Sequence, residues 1–141
     1  MNATNDVAGL IPHQGGMCLL ERVLEFDDAR VRCATATHRD PANPLRRAGQ
    51  LAAVHLCEYG AQAMAVHGGL LARRAGAAAR PGLLVSLRGV TFATDRVDDL
   101  AGELIVAAER LVESEASWQY SFTVSHDGVV VCAGRAAVMM A

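Results

Sequence analysis

Lysine is absent: all 13 basic residues among the 141 are arginine. That excludes a Schiff-base lysine, a pyridoxal-phosphate anchor and the Gly-Lys-Ser/Thr of a Walker A phosphate loop. Aromatic residues are scarce, at three Phe, two Tyr and one Trp, too few for a base-stacking platform. Neither charge dominates, since 15 acidic side chains against 13 arginines leave a net charge of −2, so nothing draws the whole chain to nucleic acid or an anionic membrane. The four cysteines, Cys18, Cys33, Cys57 and Cys132, show no Cys-x-x-Cys spacing and read as small core residues in a reducing compartment. No His/Asp/Glu spacing suggests a metal, no serine sits in a Gly-x-Ser-x-Gly elbow, and no cofactor is implied. The stretch from Tyr59 to Ala72 is the longest weakly polar one, yet Gln62 and His67 interrupt it and it is too short to span a bilayer. The N-terminus lacks the pattern of a signal peptide. These features predict a soluble, cytoplasmic protein without nucleic-acid or membrane partners.

Apolar residues are plentiful, at 52% of the chain, and the length predicts one domain over residues 1–141. Gly9 to Gly16 reads as irregular, Cys18 to Phe26 as a strand or short helix start, and Arg30 to Thr37 as a strand after a turn at Asp27-Asp28. Pro41 and Pro44 mark a loop from Arg39 to Gly49. A helix is predicted from about Gln50 to Arg74, apolar nearly all round and therefore buried on most sides, with Gly76 as its stop. Strands follow over Leu83 to Ala93, Glu103 to Val112, Trp118 to Ser125 and Val129 to Met140, the last two joined by a hairpin at Asp127-Gly128. One buried helix among five or six antiparallel strands is an α+β layout.

Polar residues inside an apolar helix are where chemistry is expected. Glu58 lies among Leu56, Cys57, Tyr59 and Ala61, and an unpartnered buried carboxylate is costly, so it has partners or faces a cleft. Gln62, one turn later, can orient it. His55 can pair with Glu58 or sit as a satisfied core histidine; His67 and His126 are expected to be solvated.

Leu10-Ile11-Pro12-His13, the segment Met17 to Val23, Glu58-Tyr59-Gly60-Ala61-Gln62 and Gly82 to Val90 together resemble the bacterial 3-hydroxyacyl-acyl-carrier-protein dehydratases. The similarity covers most of residues 9–140 and is nearest to the branch associated with aryl polyene pigment clusters. It implies the hotdog fold, one long central helix wrapped by an antiparallel sheet. It also implies dehydration of a 3-hydroxyacyl chain on acyl carrier protein, in fatty acid or aryl polyene synthesis, by a homodimer or higher oligomer with sites shared between subunits. On this resemblance Glu58 is the catalytic acid, Gln62 orients it, and Gly49 with the following amides polarises the thioester carbonyl. His13 is implied to be structural.

The base is open between two residues. His38 lies twenty residues before Glu58, whereas the family's spacing lands near Asn43-Pro44-Leu45. His38 is the base if the loop swings it inward. Asn43 in that slot cannot take a proton, which favours a hotdog acyl thioesterase; a third reading is a non-catalytic subunit that binds acyl chains or completes a dehydratase complex. With no lysine available, docking of an acidic carrier protein and its phosphopantetheine arm falls to arginines flanking the helix: Arg46, Arg47, Arg73, Arg74 and Arg80.

Overall fold

The computed structural model describes Val7, Leu10 and residues 15–78 and 82–140, the Met140 side chain excepted. Alternation of apolar and polar residues makes the strands. In β5 (Ser117–His126), Tyr120, Phe122 and Val124 are buried and the residues between them are not, the period-two pattern of a sheet with one face on the core. β1 (Arg22–Phe26), β2 (Arg30–Thr35), β3 (Gly82–Phe92), β4 (Leu104–Glu113) and β6 (Val129–Met140) complete one sheet. Its order is β1-β2-β4-β5-β6-β3, with every neighbouring pair antiparallel. The Asp127-Gly128 hairpin forms as expected, with φ of 50° and 79° at the two turn residues, the double positive φ of a type I′ turn.

The long helix α1 (Leu56–Arg74) lies against β2, β4 and β5. Gly60 allows its close approach, because a Cβ there would stand 2.5 Å from the Phe122 ring. Gly76, at φ 73°, ends the helix in a Schellman motif: its amide donates to Arg73 O, and the Ala77 amide donates to Ala72 O. The core joins helix residues such as Leu56, Tyr59, Met64 and Val66 to Val31, Val106 and Phe122 of the sheet.

Two sequence expectations need correction. The helix starts at Leu56 rather than near Gln50, after a single 3-10 turn over Ala53–His55. Residues 50–53 are held by the loop after β3: the Leu51 amide donates to Asp98 Oδ1, the Ala53 amide to Asp95 O, and the Val97 amide to Leu51 O. His67 is fully buried rather than solvated, with Nδ1 2.7 Å from the Tyr120 hydroxyl and Nε2 2.9 Å from Asp27 O. His126 is half-buried and bonds Ala101 O through Nε2. The four cysteines are free thiols, and burial pushes Cys33 and Cys132 up to about 12. Among the described residues no helix is long and apolar enough to cross a membrane.

Candidate active site

One side of α1 is left partly uncovered by the sheet. Glu58, Ala61, Ala65, Gly68 and Ala72 fall on it at helical spacing and are all half-buried. Small side chains on a helix facing a sheet leave a trough, and here it is a groove of about 650 Å³. Leu84 of β3, Val138 of β6 and Trp118 and Tyr120 of β5 line it from the sheet side. Glu58 stands in the first turn of the helix, where the dipole favours a carboxylate.

Gln62 is fully buried and all its hydrogen-bonding atoms are used. Oε1 accepts from the Leu19 amide at 2.9 Å, while Nε2 donates to Met17 O at 2.7 Å and to Glu58 Oε1 at 3.4 Å. The helix is thereby stitched to the segment before β1, and the Glu58 carboxylate is tethered to that same anchor. The two residues paired by sequence spacing are together in the structure.

The two candidates for the base position lie elsewhere. His38 is fully buried in a 3-10 turn and absent from the groove lining. Its Nε2 is 2.9 Å from Leu100 O, so that nitrogen carries the proton and Nδ1 keeps a lone pair, buried without a partner among the described residues. Burial holds its pKa below the usual histidine value, and Arg39, His126 and Arg46 add to the effect.

Asn43 is buried in a structural network. Its Nδ2 donates to Thr37 O at 2.9 Å and to the Tyr59 hydroxyl at 3.1 Å, and Oδ1 accepts from the Leu45 amide. The Tyr59 hydroxyl is 2.9 Å from Thr37 Oγ1, which donates to Leu19 O. Burial raises the Tyr59 pKa, so the hydroxyl stays neutral. Asn43 thus touches the neighbour of Glu58, on the inward side of the helix.

Gly49 lies seven positions before the first residue of α1, in a turn closed by Arg47 and Gln50, with φ of 53° at Ala48 and 76° at Gly49. It is therefore not at the helix start. His55 is the half-buried residue preceding α1 and lines a second, polar cleft with Arg47, Gln50, Asp95 and Arg96. Beside it Asp98 pairs with Arg96, which holds the carboxyl far below its usual range.

The arginines do not form one cluster. Arg46 donates to Gly49 O and His38 O, and Arg47 to Pro44 O and Arg46 O, so both brace the loop before the helix. Arg73 and Arg74 stand at the other end of a 19-residue helix, roughly 28 Å away at the usual rise. Arg74 pairs with Asp28 and lies over the Phe26 ring. Arg80 and His13 lie outside the described residues. Among the described residues no group of three or more His, Cys, Asp or Glu could hold a metal ion.

A long helix against a six-stranded antiparallel sheet, with a carboxylate on an apolar groove, defines a hotdog enzyme of the dehydratase or thioesterase kind. The chain belongs to the ApeP-like family, described as ApeP dehydratase, which it matches over residues 5–141. It is similar to the dehydratase heterocomplex ApeI:P from Xenorhabdus doucetiae, with a TM-score of 0.88 and 25% identity over 96% of this chain and 91% of that one. AziG of S. sahachiroi shares the fold at a TM-score of 0.61 and 17% identity, covering 84% of this chain and 88% of that one. A hypothetical thioesterase with coenzyme A from Streptococcus pneumoniae TIGR4 shares it at 0.61 and 13%, covering 84% of each. No curated protein matches the chain. The resemblance drawn from the sequence and its dehydratase-like function therefore hold.

Proposed function

We propose that the protein is a hotdog dehydratase subunit in cytoplasmic aryl polyene synthesis. It converts 3-hydroxyacyl chains on acyl carrier protein to trans-2-enoyl thioesters, with residues 1–141 as one domain. Glu58 is the acid: its carboxyl proton goes to the departing C3 hydroxyl as the C3–O bond breaks, releasing water. A base removes the C2 proton in the same elimination, and its electron pair becomes the new C2–C3 double bond. Gln62 keeps the Glu58 carboxyl aimed along the groove.

The observation carrying this reading is that Glu58 faces the groove under the hold of Gln62, while His38 gives its Nε2 proton to Leu100 O away from it. The base is then supplied across an interface by a second hotdog subunit, and the similar ApeI:P structure is itself a heterocomplex. β3 is the surface for that subunit. It is one of the sheet's two edge strands, the other being β1, and its Leu83 and Val85 are 69% and 48% exposed, an arrangement that invites strand pairing. In this reading His38 and Asn43 position the loop and act on catalysis through it. Gly49 shapes the turn of that loop, and Arg47, Arg73, Arg74 and Arg80 meet the acidic carrier.

The test supplies a 3-hydroxyacyl carrier-protein thioester to this chain, to a second dehydratase subunit, and to the two together. Enoyl product that rises on mixing and vanishes with Glu58→Gln is expected. Equal product from the second subunit with Glu58→Gln would overturn the assignment. Free acid as the product would make the protein a thioesterase instead.

A further inference from the structure

We infer that Trp118, seated on Gly68 and held under Arg110, is the specificity-determining residue that limits how long an acyl chain the groove accepts. This rests on the dehydratase reading, which places C3 of the substrate at Glu58 and sends the acyl chain along α1.

The groove changes character along its length. From Glu58 it runs over Ala61, Ala65 and Gly68, an apolar path for an alkyl or conjugated chain. At Gly68 the indole comes down onto the helix: a Cβ on that glycine would lie 3.6 Å from Trp118 Cζ3, ordinary contact distance. The Arg110 guanidinium covers the indole 4.8 Å from the ring centroid, and the Tyr120 ring stands 6.3 Å from the indole at 44°. Tyr120 is itself fixed, because its hydroxyl bonds buried His67 at 2.7 Å. Trp118 is thus backed by an anchored aromatic ring and covered by a cation, an arrangement that resists displacement.

Around and beyond the indole the lining gains charge, with Arg110 bonded to Glu113 at 3.4 Å and Arg74 paired with Asp28 beside the apolar Leu71, Ala72, Ala77 and Ala78. An apolar chain end pushed past Trp118 would desolvate those charges, while one that stops short leaves apolar surface wet. Ten residues of helix separate Glu58 from Gly68, roughly 15 Å. About 12 carbon–carbon bonds in an extended chain cover that distance.

Trp118 is the protein's one tryptophan, so its fluorescence reports on this position alone. The full-length protein is titrated with 3-hydroxyacyl-pantetheine thioesters of about 6 to 18 carbons, bracketing the groove's length. Fluorescence follows the wild type, and calorimetry follows every form. Affinity is expected to rise about threefold to fourfold per added methylene up to a limit of about 15 carbons, then to level or fall. The indole signal should shift most for chains that reach that limit.

Trp118→Ala should move the limit to longer chains, with Trp118→Phe, which keeps an aromatic ring and the fold, in between. Gly68→Leu, which fills the groove ahead of the indole, should shorten it. An unchanged limit in the folded variants would overturn the proposal. So would binding that leaves the indole signal unmoved, or no binding of any chain because a second protomer fills the groove. Since the readout is binding, a failed dehydration assay alongside the expected length shifts would count against the Glu58 chemistry and leave the gauge intact.

Discussion

Gln62 holds Glu58 from one helical turn away: its Nε2 donates to Met17 O at 2.7 Å and reaches Glu58 Oε1 at 3.4 Å. One amide thus anchors the helix and steers a half-buried carboxylate, and substitutions separate the two duties. Glu58→Gln keeps size and hydrogen bonding and removes the transferable proton. It should leave the thermal midpoint within a few degrees of wild type while the complex loses at least about a hundredfold in dehydration rate, the usual scale of acid–base catalysis. Gln62→Leu should instead cost about 1–3 kcal/mol of stability, since the Leu19 amide and the Met17 carbonyl lose their buried partner. Denaturant melts and steady-state rates distinguish the two outcomes.

Two buried histidines make stability depend on pH. His38 and His67 are held below the ordinary histidine value of about 6.5, in each case mainly by burial. Around His67, Arg110 and Arg74 lower the value further, while the Asp27 carbonyl and carboxylate oppose the shift. Both rings are neutral when folded: each gives an Nε2 proton to a backbone carbonyl, and His67 Nδ1 accepts from Tyr120. The unfolded chain binds protons at these rings once pH drops below about 6.5, and the folded chain does not until its lower pKa is reached. Their contribution is therefore complete above that pH and is lost as pH falls, at up to about 1.4 kcal/mol per pH unit per histidine. Urea melts between pH 7.5 and 5 should show the fall. His67→Gln should flatten it, and a slope of opposite sign would contradict the burial.

Gly60 tests how tightly the helix lies on the sheet. A Cβ there would meet three atoms of the Phe122 ring at 2.5 to 2.9 Å, and Phe122 is itself buried against the core. Gly60→Ala should destabilise by about 1–3 kcal/mol through overpacking, despite alanine's better helix propensity. Phe122→Leu in the same chain should restore part of the loss, which a double-mutant cycle would measure.

The elements legible in the sequence were those whose cause is local. β5 alternates Tyr120, Phe122 and Val124 inward, Asp127-Gly128 is a two-residue turn signal, and Gly76 closes the helix with its immediate neighbours. Glu58 and Gln62 belong to this group, because four residues on a helix bring side chains together without knowledge of the fold. The misread features depend on distant partners. The helix start is set by Asp95 and Asp98, more than forty residues downstream. His67 is polar in isolation and becomes a core residue only because Tyr120 and the Asp27 carbonyl reach it. His38 points where Leu100 lets it, and Trp118 comes down onto Gly68 only because the fold brings β5 to the helix.

In the proposed reading, association with the second subunit is carried by the β3 edge. Its neighbour β6 satisfies one side of the strand and the other has no strand partner among the described residues, while Leu83, Val85 and Leu87 are 69%, 48% and 40% exposed. Exposed apolar side chains on a long unprotected edge are what soluble proteins avoid unless another strand covers them, and lysine is the usual protection. This chain has no lysine at all, so supplying it at that edge is a direct test. Leu83→Lys with Leu87→Lys should leave the six-stranded fold and its melting intact, because neither side chain belongs to the buried core. Binding of the second subunit should weaken at least about tenfold, the effect of losing about 1.4 kcal/mol of contact. Analytical ultracentrifugation of the mixed subunits would read the change. Association of undiminished strength would move the interface away from β3 and, with it, the supply of the missing base.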